Sequence, residues 1–93
     1  MKYTLKPTTQ FKRDLKKAQK QNKNLDLLNK VLQQLTDGIP LPEKNRDHAL
    51  TGNCAGCREC HIQPDWLLIY EIAEDTIFLY LTRTGSHSEL FER

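Results

Sequence analysis

The sequence has no long apolar run and no apolar segment near its amino end. A membrane-spanning helix needs about 20 mostly apolar residues, and the apolar part of a secretory signal about 7–15. Residues 1–10, MKYTLKPTTQ, contain neither. We therefore expect a cytoplasmic protein without a membrane partner.

The sequence contains few cysteines, and their number is odd. The three thiols, Cys54, Cys57 and Cys60, lie within seven positions. A cytoplasmic chain keeps its thiols reduced, which argues against a disulfide framework. We expect small, partly buried thiols without a catalytic role.

Two cofactor interpretations of these cysteines have to be weighed. Residues 57–61 match the C-x-x-C-H pattern of covalent haem attachment, but the only methionine is the first residue, and the match opens a predicted strand. Zinc would require a knuckle-like turn, because within a strand Cys60 faces away from Cys57 and His61. We predict neither a metal nor a cofactor.

The length of 93 residues, with 38% hydrophobic and 28% charged residues, predicts one globular domain spanning 1–93. Tyr3–Leu5 has strand character and Pro7 ends it. Thr8 or Thr9 is placed to cap a first helix, and a second helix follows from about Asn24. Their apolar stripes comprise Phe11, Leu15 and Ala18, then Leu25, Leu28, Val31 or Leu32, and Leu35.

Residues 38–56 contain Pro40 and Pro42, which cannot continue a helix, and predict a long ordered loop. Three strands joined by short turns follow, at Cys57–Ile62, Trp66–Ile72 and Ile77–Arg83. An amino-terminal strand and a helical hairpin packed on a curved antiparallel sheet give an α+β fold.

The net charge of +2 conceals a division along the chain. Residues 1–30 carry nine Lys and Arg against two acids, whereas residues 31–93 carry five against ten. The predicted first helix concentrates the cations, and such a surface favours a polyanion or an acidic protein. The cations between positions 12 and 23 are Lys12, Arg13, Lys16, Lys17, Lys20 and Lys23.

All three histidines, His48, His61 and His87, lie in the carboxyl-terminal half, next to loops or strand ends. Histidine accepts and donates protons near neutrality, as RNA cleavage through the 2′-hydroxyl requires. Arg83, at the end of the last strand, is suited to stabilise the charge that develops on the phosphoryl oxygens. Trp66 is either a core aromatic or a stacking surface for a base, and for Phe91 the two interpretations are balanced.

Three blocks with these spacings, DHALTG at 47–52, RECHIQPDWLLIY at 58–70 and RTGSHSELF at 83–91, resemble the YafQ-like branch of the RelE/ParE toxin superfamily. The resemblance implies a RelE-like fold and a type II toxin that cleaves mRNA in the ribosomal A site. It also implies a cognate antitoxin, bound as a hetero-oligomer, with an acidic segment that the cationic helix would receive.

Acid–base and charge chemistry suggest a role for each catalytic residue that the resemblance implies by position. His87 would act as general acid, Asp65 or His61 as general base, Arg83 as the phosphorane stabiliser and His48 as an assisting group. Trp66 and Phe91 would contact or orient the substrate. The implied catalytic set is His48, His61, Asp65, Arg83 and His87.

Two alternatives come from other functional classes. A ParE-like inhibitor of DNA gyrase would share the fold without needing three histidines and Asp65. A zinc- or haem-binding module would lose its fold when the group is removed. Ribosome-dependent message cleavage is the function that the sequence favours.

Overall fold

The computed structural model describes residues 3–50, 56–72 and 78–91, with only the backbone of His87 and Phe91. The predictions on Cys54 and on the turn at 73–76 lie outside these residues. The helices and strands, in chain order, are β1 (Thr4–Pro7), α1 (Thr9–Lys20), α2 (Leu25–Thr36), a 3-10 turn (Glu43–Asn45), β2 (His48–Ala49), β3 (Arg58–Gln63), β4 (Trp66–Ile72), β5 (Phe78–Gly85) and α3 (His87–Phe91).

Of the two predicted capping residues of the first helix, Thr8 is the cap, and the second helix is capped by Asn24, where its start was predicted. The Thr8 hydroxyl accepts a hydrogen bond from the Phe11 amide at 3.1 Å, and the Asn24 side chain accepts one from the Asp26 amide at 3.0 Å. Each bond satisfies one of the amides that a helix start leaves without a partner. Gly38, two residues beyond the end of α2, has a positive φ of 72°.

The five strands form one sheet in the order β1-β5-β4-β3-β2. The predicted antiparallel meander is confirmed for β3, β4 and β5. The amino-terminal strand pairs with β5 at the edge of the sheet and runs parallel to it, so the sheet is mixed and not purely antiparallel as predicted. A two-residue strand, β2, lies within the predicted long loop and pairs with β3. It is too short to produce a recognisable alternation in the sequence.

The two faces of the sheet have different roles. The core cluster joins Phe11, Ala18, Leu28, Val31 and Leu35 of the helices to Cys60, Ile62, Trp66, Leu68, Tyr70, Leu79 and Leu81 of the sheet. We call this side the helix-covered face. Because side chains alternate along a strand, Glu59 and His61 project from the opposite side, which we call the site face.

None of the helices in the described ranges is long and apolar enough to span a membrane.

Candidate active site

A cross-strand row of paired residues spans four strands on the site face. His48 on β2 is opposite Glu59 on β3, Glu59 is opposite Ile69 on β4, and Ile69 is opposite Arg83 on β5. Directly opposed residues project from the same side of a sheet. The register therefore aligns two candidate site residues, His48 and Arg83, with a carboxylate between them.

Glu59 brings two of the histidines together. Its Oε1 lies 3.3 Å from His48 Nε2 and 3.8 Å from His61 Nε2. The Glu59 side chain is only 5% exposed, whereas that of His61 is 14% and that of His48 50% exposed. A buried carboxylate thus holds one sheltered and one accessible imidazole.

The remaining ring nitrogens face backbone carbonyls. His48 Nδ1 lies 2.7 Å from the Arg46 carbonyl, and His61 Nδ1 lies 3.3 Å from the Pro64 carbonyl. Carbonyl and carboxylate oxygens only accept, so each ring has an acceptor beside both of its nitrogens, and a neutral ring donates to one of the two. The Nε2 atoms of both rings lie on the side of Glu59.

Asp47 anchors the chain beside His48 from the helix-covered face. Its Oδ1 accepts hydrogen bonds from the Tyr70 hydroxyl at 2.7 Å and from Arg58 Nε at 3.2 Å. Burial, followed by this hydrogen bond, raises the pKa of Tyr70, so its phenol remains protonated and donates. The short strand β2 is thereby fixed although it has only two residues.

A second row places the start of α3 near His61. His61 is opposite Leu67, and Leu67 is opposite Gly85, two residues before His87. A Cβ at position 85 would lie 3.0 Å from a Glu89 oxygen and 3.2 Å from a Leu90 methyl carbon. Glycine is needed here because α3 packs so closely on the end of β5.

Glu89 fastens α3 to α1. Its Oε1 accepts the Ser86 amide at 2.8 Å, while Oε2 accepts Gln21 Nε2 at 3.1 Å and Lys17 Nζ at 2.9 Å. The Ser86 amide, then Lys17 and Gln21, lower the pKa of Glu89 to about 2. This contact orients the short helix that carries His87.

Arg83 is held by a buried carboxylate of α1. Its Nε and Nη2 donate to the two oxygens of Asp14 at 2.8 and 3.1 Å, and the Thr84 amide donates to the same carboxylate at 3.2 Å. Burial raises the pKa of Asp14, but these bonds and one from Gln10 outweigh it, so that the pKa lies below its ordinary value. The Arg83 side chain is still one-third exposed and can reach an anion.

The other predicted site residues are placed as follows. Asp65 is exposed in the turn between β3 and β4. Trp66 is 1% exposed and belongs to the core, so its ring has no open face on which a base could stack. Of the two roles predicted for it, contacting and orienting the substrate, only the second suits this position. His87 opens α3 and Phe91 ends it, and predictions about their side chains lie outside the described residues.

The cations predicted to meet RNA fall into two groups. Lys17 is paired with Glu89, and Lys23 Nζ lies 5.6 Å from the centre of the Trp66 ring. The others are exposed on α1, on the sides that the Phe11–Ala18 stripe leaves outside. These four are Lys12, Arg13, Lys16 and Lys20.

The cysteine motif does not form a metal site in the described residues. Cys60 is fully buried on the helix-covered face, and burial raises the pKa of its thiol to about 12. His61 projects from the site face, as strand alternation predicted. Within residues 3–50, 56–72 and 78–91, no group of three or more His, Cys, Asp or Glu side chains is arranged to hold a metal ion.

Glu59 and Asp14 were not singled out from the sequence. The alternation that aligns Cys57, Glu59 and His61 was a usable signal for Glu59, since it placed a carboxylate beside a candidate histidine. Asp14 gave no such signal, because it lies among lysines on a helix surface and its partner is 69 residues away.

Comparison with known proteins gives a consistent set of relatives. A family model described as a bacterial toxin of type II toxin–antitoxin system, YafQ, matches residues 3–92. The mRNA interferase toxin YafQ of Escherichia coli strain K12 is 39% identical over 83 residues, which cover 88% of each chain.

Two solved structures are similar over nearly the whole chain. The toxin–antitoxin complex DinJ–YafQ of E. coli matches with a TM-score of 0.87 and 35% identity, covering 98% of this chain and 99% of the matched one. A metal-bound toxin from Helicobacter pylori matches with a TM-score of 0.89 and 44% identity, covering 96% and 99%.

Proposed function

Because the chain belongs to the YafQ family of bacterial type II toxins, we propose that it is an mRNA interferase whose single domain, 1–93, cleaves messages in the ribosomal A site. The observation that carries the proposal is the pair of histidines on Glu59, aligned across the sheet with Arg83. A histidine base and a guanidinium are two of the parts that RNA cleavage needs, and His87, which opens α3, is the proposed acid.

The first step is attack by the 2′-hydroxyl on the adjacent phosphorus. We assign the base to His61 in the tautomer that has its proton on Nδ1, which faces the Pro64 carbonyl, so that the Nε2 lone pair takes the proton of the hydroxyl. Glu59, 3.8 Å away, stabilises the imidazolium that forms. Asp65, in the adjoining turn, is the other candidate for this role.

The second step is departure of the 5′-oxygen. The bond from phosphorus to this oxygen breaks as His87 gives it a proton, leaving a 2′,3′-cyclic phosphate and a 5′-hydroxyl. Arg83, oriented by Asp14, stabilises the charge on the non-bridging oxygens. His48, the more exposed partner of Glu59, assists by binding phosphate or by exchanging protons with solvent.

No metal is required for these steps. The relative from H. pylori is described as metal-bound, so this part of the proposal needs its own control. Protein stripped with EDTA and dialysed before it is added to ribosomes should cleave as fast as untreated protein. A rate restored only by added transition metal would overturn the metal-free mechanism.

The proposed partners are the ribosome with its message and a cognate antitoxin, as in the DinJ–YafQ complex. The exposed cations of α1 suit ribosomal RNA or an acidic antitoxin segment. With translation as the target, we place the protein in the cytoplasm.

The test is message cleavage in a reconstituted translation system, with and without ribosomes, using wild-type protein and His87→Ala. Cuts that require ribosomes and disappear in the variant support the proposal. Intact message together with inhibited DNA gyrase would favour the ParE-like alternative instead.

A further inference from the structure

A cleft of about 480 Å³ adjoins His61 on the side away from Arg83, and the mechanism above does not use it. It is lined by residues 44–46, from the 3-10 turn and the residue after it, and by residues 61–64, from the end of β3 and its turn. Pockets that bind small ligands have volumes of roughly 300–1,000 Å³. The cleft therefore has room for one nucleotide.

Two hydrogen bonds fasten the cleft to the histidines. Asn45, which is buried, donates from Nδ2 to the His61 carbonyl at 2.6 Å. Arg46 has a left-handed backbone with φ of 47°, and its carbonyl accepts from His48 Nδ1 at 2.7 Å. The wall of the cleft is thus hydrogen-bonded to the backbone of His61 and to the imidazole of His48.

The charged side chains that line the cleft are cationic. Lys44 and Arg46 are exposed cations, and none of the described lining residues is acidic. Neither side chain forms an ion pair with any residue in the described ranges. Unpaired cations beside a cleavage centre attract the phosphates that flank the scissile one.

The lining also offers contacts for a base. The exposed Pro64 supplies apolar surface, and the exposed Gln63 carries both a donor and an acceptor. Single-stranded RNA is recognised in this way, by packing of splayed bases and by hydrogen bonds to their edges.

We propose that this cleft is a nucleotide subsite, which takes the RNA residue next to the scissile phosphate. Lys44 and Arg46 hold its phosphates, and Gln63 reads its base edge. The inference rests on the proposed function and deepens it, because it says how the message is aligned and what sets its sequence preference.

The phosphate contacts are tested by Lys44→Gln, Arg46→Gln and the double variant, with Lys30→Gln, an exposed cation of α2, as control. We expect about tenfold weaker binding to programmed ribosomes for the double variant. The slope of log affinity against log salt should fall by about one for each cation removed.

A second binding experiment, on ribosomes whose message ends before the A site, shows whether the phosphates belong to the message or to ribosomal RNA. A loss seen only when the A-site codon is present assigns the contact to the message, whereas an equal loss in both complexes assigns it to ribosomal RNA and overturns the subsite. Affinities and slopes equal to those of Lys30→Gln would overturn it as well.

Base readout is tested by Gln63→Ala. The distribution of cut sites across a message should change, while the salt slope remains that of the wild type. Unchanged cut sites would contradict the claim that Gln63 reads the base edge. If wild-type protein cleaves nothing, the proposed function fails, and that outcome is distinct from every result above.

Discussion

Arg83 and Asp14, 69 residues apart in sequence, are joined by two hydrogen bonds between the guanidinium and the carboxylate. The pairing of β1 with β5 ends at Pro7 and Leu81, and beyond it the Thr8 hydroxyl donates to the Thr82 carbonyl at 3.0 Å along the same edge. Asp14 covers this edge by accepting the Thr84 amide as well. One buried carboxylate thus completes the sheet and orients the guanidinium of the site.

Replacing Asp14 by Asn should therefore affect both stability and activity. The amide cannot accept from Arg83 and Thr84 as the carboxylate does, and the expected loss is about 1–3 kcal/mol of unfolding free energy. Cleavage should fall at least tenfold, because Arg83 loses its orientation. Urea denaturation and single-turnover cleavage measure the two effects.

The matched control for that change is Asp26→Asn, on an exposed position of α2. Surface changes of this kind are usually within about 0.5 kcal/mol. If the Asp14 variant behaves like this control in both assays, the Arg83–Asp14 pair has neither role.

Acid should weaken the attachment of α3 through Glu89. The pKa of Glu89 is lowered to about 2 in the folded protein, against 4.5 for the free side chain. The stabilisation is therefore complete above about pH 4.5 and is lost as the pH falls from there toward 2.

Glu89→Gln tests this pH dependence. At pH 7 the variant should be less stable by about 1 kcal/mol, since the lost ion pair with Lys17 lies near the surface. Its stability should decline less steeply than that of the wild type between pH 4.5 and 2, and Asp14 accounts for part of the remaining slope. Parallel curves would contradict the assignment to Glu89.

Glu59→Gln should reduce cleavage about 10- to 100-fold at saturating ribosomes, with little change in binding. The amide has the size of the carboxylate but does not stabilise an imidazolium on His61. Glu71→Gln, an exposed residue on the next strand, is the control. A Glu59 variant with wild-type single-turnover rates would remove the carboxylate from the site.

Local signals in the sequence predicted most of the fold. Thr8 or Thr9 and Asn24 indicated where the two long helices start, and strand alternation predicted that Cys60 and His61 lie on opposite faces of the sheet. The family resemblance is confirmed by the match over residues 3–92.

Features that depend on distant partners were not predictable in the same way. The parallel direction of β1 is set by its pairing with β5, more than 70 residues later. The pairing of Lys17 with Glu89 likewise exists only because α1 and α3 meet. In the sequence Lys17 is indistinguishable from the lysines around it, and for that reason it was grouped with them.

Cys60 should be inert in the folded protein. It is fully buried, and its pKa of about 12 leaves almost no thiolate at pH 8. Iodoacetamide at pH 8, followed by peptide mass mapping, should modify Cys60 only in denaturant, whereas the partly exposed Cys57 reacts earlier. Rapid labelling of Cys60 in native protein would contradict the burial and reopen a thiol or metal role.

The central claim, attack by the 2′-hydroxyl within a histidine site, is tested most directly by a message carrying a single 2′-deoxynucleotide on the 5′ side of the mapped cut. The account predicts that ribosome-bound message is no longer cut there, while the all-ribose message yields a 2′,3′-cyclic phosphate. Cleavage of the deoxy message at the wild-type rate would contradict the account, because the nucleophile would then have to be something other than the 2′-hydroxyl.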